Sequence, residues 1–394
     1  MKILTVVGAR PNFMKAAPII KAIAKNNGRT GGDASDSIQH FLVHTGQHYD
    51  QVMSDSFFAD LALPQPDAHL GVGSGSHAGQ TADIMTRFEE VLLKEKPDVV
   101  IVVGDVNSTV ACALVAAKIS FDSSGKRPLI AHVEAGLRSF DRTMPEEINR
   151  VLTDQLSDLL FVTEESGLRN LAHEGIPPER IHFVGNTMID SLLACKDKAE
   201  SSTILDDLGL RAQAANYALL TLHRPANVDN REAFLRILDG LDELTGQYGV
   251  IFPAHPRTRE RIRAFGLDHR FGRIRMTEPL GYLDFLCLMS HAALVVTDSG
   301  GIQEETTCLG IPCVTVRENT ERPATVTVGT NVIAGVQTEG IRAAIRQKLE
   351  VKSVSAVPDK WDGKSGVRIL DAISREFWKL DASTGLASDL ALTR

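Results

Sequence analysis

The sequence predicts an α/β protein built from two doubly wound halves, and three observations carry that expectation. Uninterrupted apolar runs of strand length recur along the chain, among them ILTVV at 3–7, VVIVV at 99–103, YALLT at 217–221 and LVVT at 294–297. Such runs belong to strands buried on both faces of a parallel sheet. Most of them pass through a glycine or polar turn into a stretch with helical apolar spacing. The alternation continues to about residue 184, lapses through a polar segment, and restarts at 217. Residues 1–184 are therefore expected to form an N-terminal Rossmann-like domain and 185–366 a C-terminal one, with a last helix at 367–380 packing back on the first and a frayed tail from 381.

A chain of 394 residues, 43% hydrophobic and 23% charged, is long enough for two cores. A net charge of -8 argues against a nucleic-acid or anionic-membrane partner, so any phosphate recognition has to be local. The five cysteines, Cys112, Cys195, Cys287, Cys308 and Cys313, are odd in number and form no CxxC pair, as expected of reduced thiols. The apolar run at the N-terminus is too short for a signal peptide and no run reaches membrane-spanning length, so the expected location is the cytoplasm.

In chain order, ILTVV leads through GARPNF into a helix and sets Arg10 and Lys15 at the carboxyl end of the first strand, where open α/β sheets take ligands. NNGRTGGDASDS at 26–37 reads as a surface loop. The strand HFLVHTG then delivers Gln47, His48 and Asp50 to the same edge. Gly73, Gly75 and Ala78 have the spacing of a dinucleotide fingerprint but lack a convincing strand before them, which discounts it.

After a helix at 83–94, VVIVV ends in Gly104 and Asp105. LIA at 129–131 is followed by His132, Glu134 and Arg138, and Pro145 and Glu146 open a helix with an apolar stripe of Ile148, Val151, Leu152, Leu156 and Leu159. Singly, each of Asp105, Glu134 and Glu146 suits a structural role, Glu146 as a first-turn helix carboxylate. Converging on one sheet edge, the three could trade protons with a substrate. Strands at 159–163 and 181–184 complete this half.

In the second half, His223 and Arg224, then His255 and Arg257, follow strand ends. His223 suits a donor to phosphate and a capping role equally. LVVTDSGGIQEETTCLGIPCVTVRENTERP, residues 294–323, reads as strand, two-glycine turn, helix over 302–309 capped by Gly310, and strand at 313–316. The backbone N–H groups of Ser299, Gly300 and Gly301 are expected to be unpaired and to seat an anion. Glu305 shares a helix face with Gly301 at about 5–6 Å, the reach from a diphosphate to its ribose, and Arg322 supplies a fixed positive charge. The alternative is that the glycines only turn the chain and Glu304 and Glu305 only complement the helix dipole.

The ordered set GARPNFMKAAPI, TGQHYD, GDVNST, HVEAGLRS, PEEINR, VGNTMID, TLHRPANVD, AHPRTR and TDSGGIQEE followed by ERP resembles the non-hydrolysing UDP-N-acetylglucosamine 2-epimerases from residue 1 to about 336. The resemblance implies two Rossmann-like domains facing across a cleft (the GT-B type), a UDP-sugar substrate, a homodimer, and no metal or redox cofactor. It implies that Ser299, Gly300, Gly301 and Glu305 hold the UDP phosphates and ribose. Arg10, His223 and Arg322 would contact phosphate and Phe285 would lie beside the uracil. Lys15, Asp105, Glu134 and Glu146 would lie near the sugar, the three acids moving protons.

The implied reaction removes the C2 proton as UDP leaves C1, forming a glycal, and adds UDP back to give the mannose configuration for surface polysaccharide synthesis. Some relatives carry an activating second UDP-N-acetylglucosamine through glutamines in the segment equivalent to TGQHYDQ, where Tyr49 and Asp50 here break the pattern; Leu280 stands where Gln is frequent. Other relatives act on 2,3-diacetamido uronic acids. HVE resembles a deaminase HxE, but no second cysteine follows Pro312 and Cys313, so no zinc site is expected. A glycosyltransferase or a sugar-nucleotide sensor would use the UDP seat but has little use for three acids.

Overall fold

The structure, a computed structural model, describes residues 1–29, 37–47, 60–211, 216–350 and 356–391. It divides into two compact units, one of Met1–Leu137, Asp141–Ser191 and Lys360–Arg394, the other of Arg138–Phe140 and Leu192–Asp359.

The first unit holds seven parallel strands: β1 (Lys2–Val7), β2 (Gln39–His44), β3 (Ala68–His69), β4 (Val99–Val103), β5 (Leu129–Ala135), β6 (Leu159–Val162) and β7 (Ile181–Phe183). Their order, β3-β2-β1-β4-β5-β6-β7, reverses between β1 and β4. That reversal is where a doubly wound sheet opens a crevice at its carboxyl edge. Neighbouring residues of one strand feed different cores: Ile3, Ile101 and Phe161 pack with Ile19 and Ile23, while Leu4, Val100 and Val102 pack with Phe88 and Cys112. Both faces are covered, which is why these strands read as continuous apolar runs.

The C-terminal helix, Ser365–Ala391, adds Ile369 and Ile373 to the core around Ile19 and Ile23 of the first helix, Arg10–Arg29. Pro18 lies inside that first helix and has no N–H to return to the carbonyl of Met14. The hydroxyl of Ser191 donates to that carbonyl instead, at 2.5 Å. Gly366 approaches Pro18 so closely that a Cβ there would lie 2.6 Å from its carbonyl carbon, so only glycine permits this contact.

Several boundaries differ from expectation. The first helix runs on through Arg29, taking in part of the expected loop, and the helix expected at 83 starts at His77, where the Ser76 hydroxyl accepts from the Gly79 N–H at 3.1 Å. The last helix stays helical to Ala391 rather than fraying at 381. His132 and Glu134 lie within β5, not past its end.

The second unit repeats the plan with β8 (Tyr217–Thr221), β9 (Gly249–Pro253), β10 (Ile274–Thr277), β11 (Leu294–Thr297), β12 (Cys313–Thr315) and β13 (Asn331–Ile333), in the order β10-β9-β8-β11-β12-β13. The reversal now falls between β8 and β11. Leu220, Phe234, Phe252, Phe271, Val296 and Ile341 share its core.

Candidate functional site

In the first unit the turn after β4 gathers the charged residues. Gly104 has φ +69°, and a Cβ there would lie 2.9 Å from Lys15 Nζ, so a side chain would displace the ammonium group, and 3.5 Å from Glu134 Oε2, in contact with it. Lys15 and Glu134 are buried and form an ion pair. Lys15 is therefore already neutralised, not the cation awaiting an anion that its position in the sequence suggests. Glu134 itself has φ +74°, at the point where the β5–β6 register shifts between Val133 and Ala135. A left-handed backbone at a non-glycine residue costs about 1–3 kcal/mol, and the bulge redirects the side chain.

Asp105, the next residue in the turn, receives Arg150 Nη2 at 2.5 Å and its carbonyl accepts from Asn149 Nδ2 at 2.9 Å. Arg150 also pairs with Glu147. Behind the turn His132 makes a fully buried strut: Nδ1 lies 2.6 Å from Asp154 Oδ1 and Nε2 lies 2.8 Å from the Gly104 carbonyl. The other Asp154 oxygen accepts from the Gly136 N–H at 3.1 Å. Asn12 ties the two central strands, accepting from the N–H groups of Gly8 and Ala9 and donating to the Val103 carbonyl.

The contacts of Asn149, Arg150 and Asp154 come from a helix that turns the opposite way from expectation. In Pro145–Leu156 the buried residues are Glu147, Arg150, Thr153 and Asp154, whereas Ile148 and Leu152, from the expected inward stripe, are 43% and 49% exposed. The inward face is fixed by what it must satisfy, namely the Asp105 carboxylate, the His132 ring and the Gly136 N–H. Glu146 is exposed in the first turn of this helix, apart from the ion pairs of Asp105 and Glu134. Arg10 opens the first helix, and its side chain lies outside the described residues. So do His48, Tyr49 and Asp50, while Gln47 is buried and accepts from the N–H and hydroxyl of Ser108 at 2.9 and 2.7 Å.

In the second unit the helix Gly300–Leu309 starts two residues earlier than expected, directly after β11. The Ser299 N–H is not unpaired, as the sequence suggested, but donates to Thr297 Oγ1 at 3.0 Å. Gly300 and Gly301 occupy the first turn, whose N–H groups have no intrahelical acceptor, and the Ser299 side chain makes no capping bond. A Cβ on Gly300 would lie 2.5 Å from Arg322 Nη1 and 2.8 Å from Glu321 Oε1. Arg322 thus lies across the helix start, with Nε 3.0 Å from Glu304 Oε2 and Nη1 paired with Glu321. Glu321 is shared with Arg317 Nη2 at 2.7 Å.

Asp298, missed in the sequence, closes the turn. Its buried carboxylate accepts from the N–H groups of His223 and Arg224 at 3.1 and 2.9 Å and from Asn227 Nδ2 at 3.1 Å. His223 Nδ1 lies 2.7 Å away, and the ring is 58% exposed. Burial pushes the Asp298 carboxyl up, but the charge of His223 and these hydrogen bonds outweigh it and hold the carboxyl below its usual range. With Nδ1 engaged, Nε2 is the ring nitrogen left for a ligand.

Glu305 is buried, and Tyr282 donates to its Oε1 at 2.9 Å. Burial first, then the neighbouring Glu304, pushes its carboxyl up to about 7, with the Tyr282 hydrogen bond opposing them. Phe285 is half-buried one turn along the helix Tyr282–Ser290. An anion at the Gly300 N-terminus and a hydroxyl-bearing group reaching Glu305 is the ligand these positions suit.

The sequence profile described as UDP-N-acetylglucosamine 2-epimerase matches residues 32–374. A UDP-N-acetylglucosamine 2-epimerase of Methanocaldococcus jannaschii is 44% identical over 384 residues, covering 94% of this chain and 98% of that protein. A UDP-2,3-diacetamido-2,3-dideoxy-D-glucuronate 2-epimerase of Pseudomonas aeruginosa is 41% identical over 352 residues, covering 89% of this chain and 92% of its own. The crystal structure of the M. jannaschii UDP-GlcNAc 2-epimerase in complex with UDP-GlcNAc and UDP superposes with a TM-score of 0.85 at 43% identity, covering 95% of this chain and 100% of that one.

Proposed function

The chain belongs to the UDP-N-acetylglucosamine 2-epimerase family, and from that membership we propose that it interconverts UDP-N-acetylglucosamine and UDP-N-acetylmannosamine through a glycal. The fold of two Rossmann-like units and the UDP-GlcNAc 2-epimerase activity are those of its relatives; the steps and residue roles are our reading. The second unit binds UDP: the first-turn N–H groups of Gly300 and Gly301, with Ser299, His223 and Arg322, take the diphosphate, Glu305 accepts the ribose hydroxyls, and Phe285 lies against uracil.

The first unit works on the sugar. A carboxylate among Asp105, Glu134 and Glu146 takes the proton from C2 while the C1–O bond breaks and its electron pair leaves with UDP, giving a C1=C2 double bond. Proton return on the opposite face and re-addition of UDP at C1 complete the inversion, so atoms and charge balance with no electron transfer. Lys15 keeps the Glu134 carboxylate paired while charge moves, and a positioned acid or base of this kind is worth about 10²–10⁴ in rate. The observation that carries this reading is the convergence of Lys15, Glu134 and Asp105 on the Gly104 turn at the carboxyl edge of the sheet.

We place the enzyme in the cytoplasm as a homodimer supplying surface polysaccharide synthesis. No helix among the described residues is long and apolar enough to cross a membrane, and the outward Ile148 and Leu152 give a dimer an apolar face. The Pseudomonas relative favours a second reading, in which the sugar is a 2,3-diacetamido uronate. Incubation with each UDP-sugar in heavy water separates them: the true substrate acquires deuterium at C2 without any acceptor. Retention of the C2 proton in both sugars would end the epimerase proposal.

A further inference from the structure

The Glu305 carboxyl is fixed at one oxygen only. Tyr282, itself buried, donates to Oε1 at 2.9 Å, and no hydrogen bond reaches Oε2 among the described residues. A phenylalanine would fill the same space, so packing alone does not require the hydroxyl that Glu305 uses. We infer that Tyr282 is the positioning residue for ribose recognition: its hydroxyl pins Oε1 and leaves Oε2 to accept from the nucleotide, so discrimination between ribose and 2′-deoxyribose depends on this phenol. The inference rests on the reading of Glu305 as the ribose acceptor.

The electrostatics agree with the geometry. Burial pushes Glu305 up, and the phenol favours its ionised form, the better acceptor. Burial and the adjacent carboxylate push the Tyr282 phenol well above its ordinary value, so it remains a donor across the working range. Without the hydroxyl, Glu305 would hold its proton to higher pH.

The test titrates the enzyme with UDP and 2′-deoxy-UDP from pH 5.5 to 9 and follows the ratio of the two Kd values. Phosphate titration and any inactive fraction cancel in that ratio. In the unaltered enzyme the preference for UDP should fade as pH drops through about 7. In Tyr282→Phe the midpoint should move up by about one unit, cutting the preference near neutral pH about fivefold to tenfold. KM for the UDP-sugar should rise while kcat at saturation holds.

3-Fluorotyrosine at position 282 keeps the shape and donates more strongly, so it should move the midpoint down; it keeps the test open if the phenylalanine variant does not fold. A midpoint unmoved by either replacement overturns the inference. A Glu305→Gln enzyme that still prefers UDP as the unaltered enzyme does overturns the nucleotide reading itself, an outcome separable from a failure of Tyr282 alone.

Discussion

Lys15 and Glu134, 119 residues apart in sequence, meet as a buried ion pair beside the left-handed turn at Gly104. The contact couples stability to chemistry. Removing one partner of a buried pair leaves an uncompensated charge and typically costs about 3–5 kcal/mol, whereas replacing both with apolar groups is frequently neutral. Lys15→Met should therefore lower the urea-unfolding free energy by about 3 kcal/mol, and Lys15→Met/Glu134→Leu should recover most of the loss. Turnover should not recover with it: kcat should stay about 10²–10⁴ below the parent while Kd for UDP stays within a few-fold. A double variant that regained both stability and turnover would remove Glu134 from the proton-transfer step.

Gly300 and Arg322 give a prediction for the other unit. An alanine Cβ at 300 would force the guanidinium away from its contacts with Glu304 and Glu321, since the nearest atom would be only 2.5 Å away. Gly300→Ala should weaken UDP binding by about 10–100-fold, roughly 1.4–2.8 kcal/mol, with a smaller change in kcat. Gly246→Ala, where the added methyl meets nothing within 4 Å, serves as the inert comparison. Calorimetry with UDP reads both, and an unchanged Kd for Gly300→Ala would show that Arg322 does not need its present position.

The parts of this architecture that were legible in the sequence share one property, burial on both faces. VVIVV and LVVT read as central strands, and the glycines after LVVT as a turn that either seats an anion or only reverses the chain. The edge strands β10 and β13 were not legible, because IRMT and NVI are short and partly exposed, which leaves them no periodic signature. The helix Pro145–Leu156 misled for a different reason: apolar spacing identified a stripe, but the helix is oriented by its polar obligations to Asp105, His132 and Gly136. Asp298 was hidden because its partners His223, Arg224 and Asn227 lie 71–75 residues earlier in the chain.

Glu305 supplies a pH signature of stability. Its carboxyl titrates at about 7 in the folded protein, against an ordinary value of 4.5. Between those values the folded state binds more protons than the unfolded state, so stability falls as pH rises through that window, and the loss is complete above about 7. A separation of this size corresponds to roughly 3 kcal/mol, an upper figure because burial of so few atoms relaxes easily. Glu305→Gln removes the proton-binding step. The variant should match the parent near pH 4.5 and exceed it at pH 8 by on the order of 1–3 kcal/mol in urea unfolding without nucleotide. Ionised Glu305 is thus held at a cost in the empty protein, which a bound ribose would offset with its hydroxyls. If the difference between variant and parent were flat with pH, or grew toward acid, the buried carboxyl would have to be ionised throughout, and Tyr282 would be stabilising it far more strongly than a single hydrogen bond does.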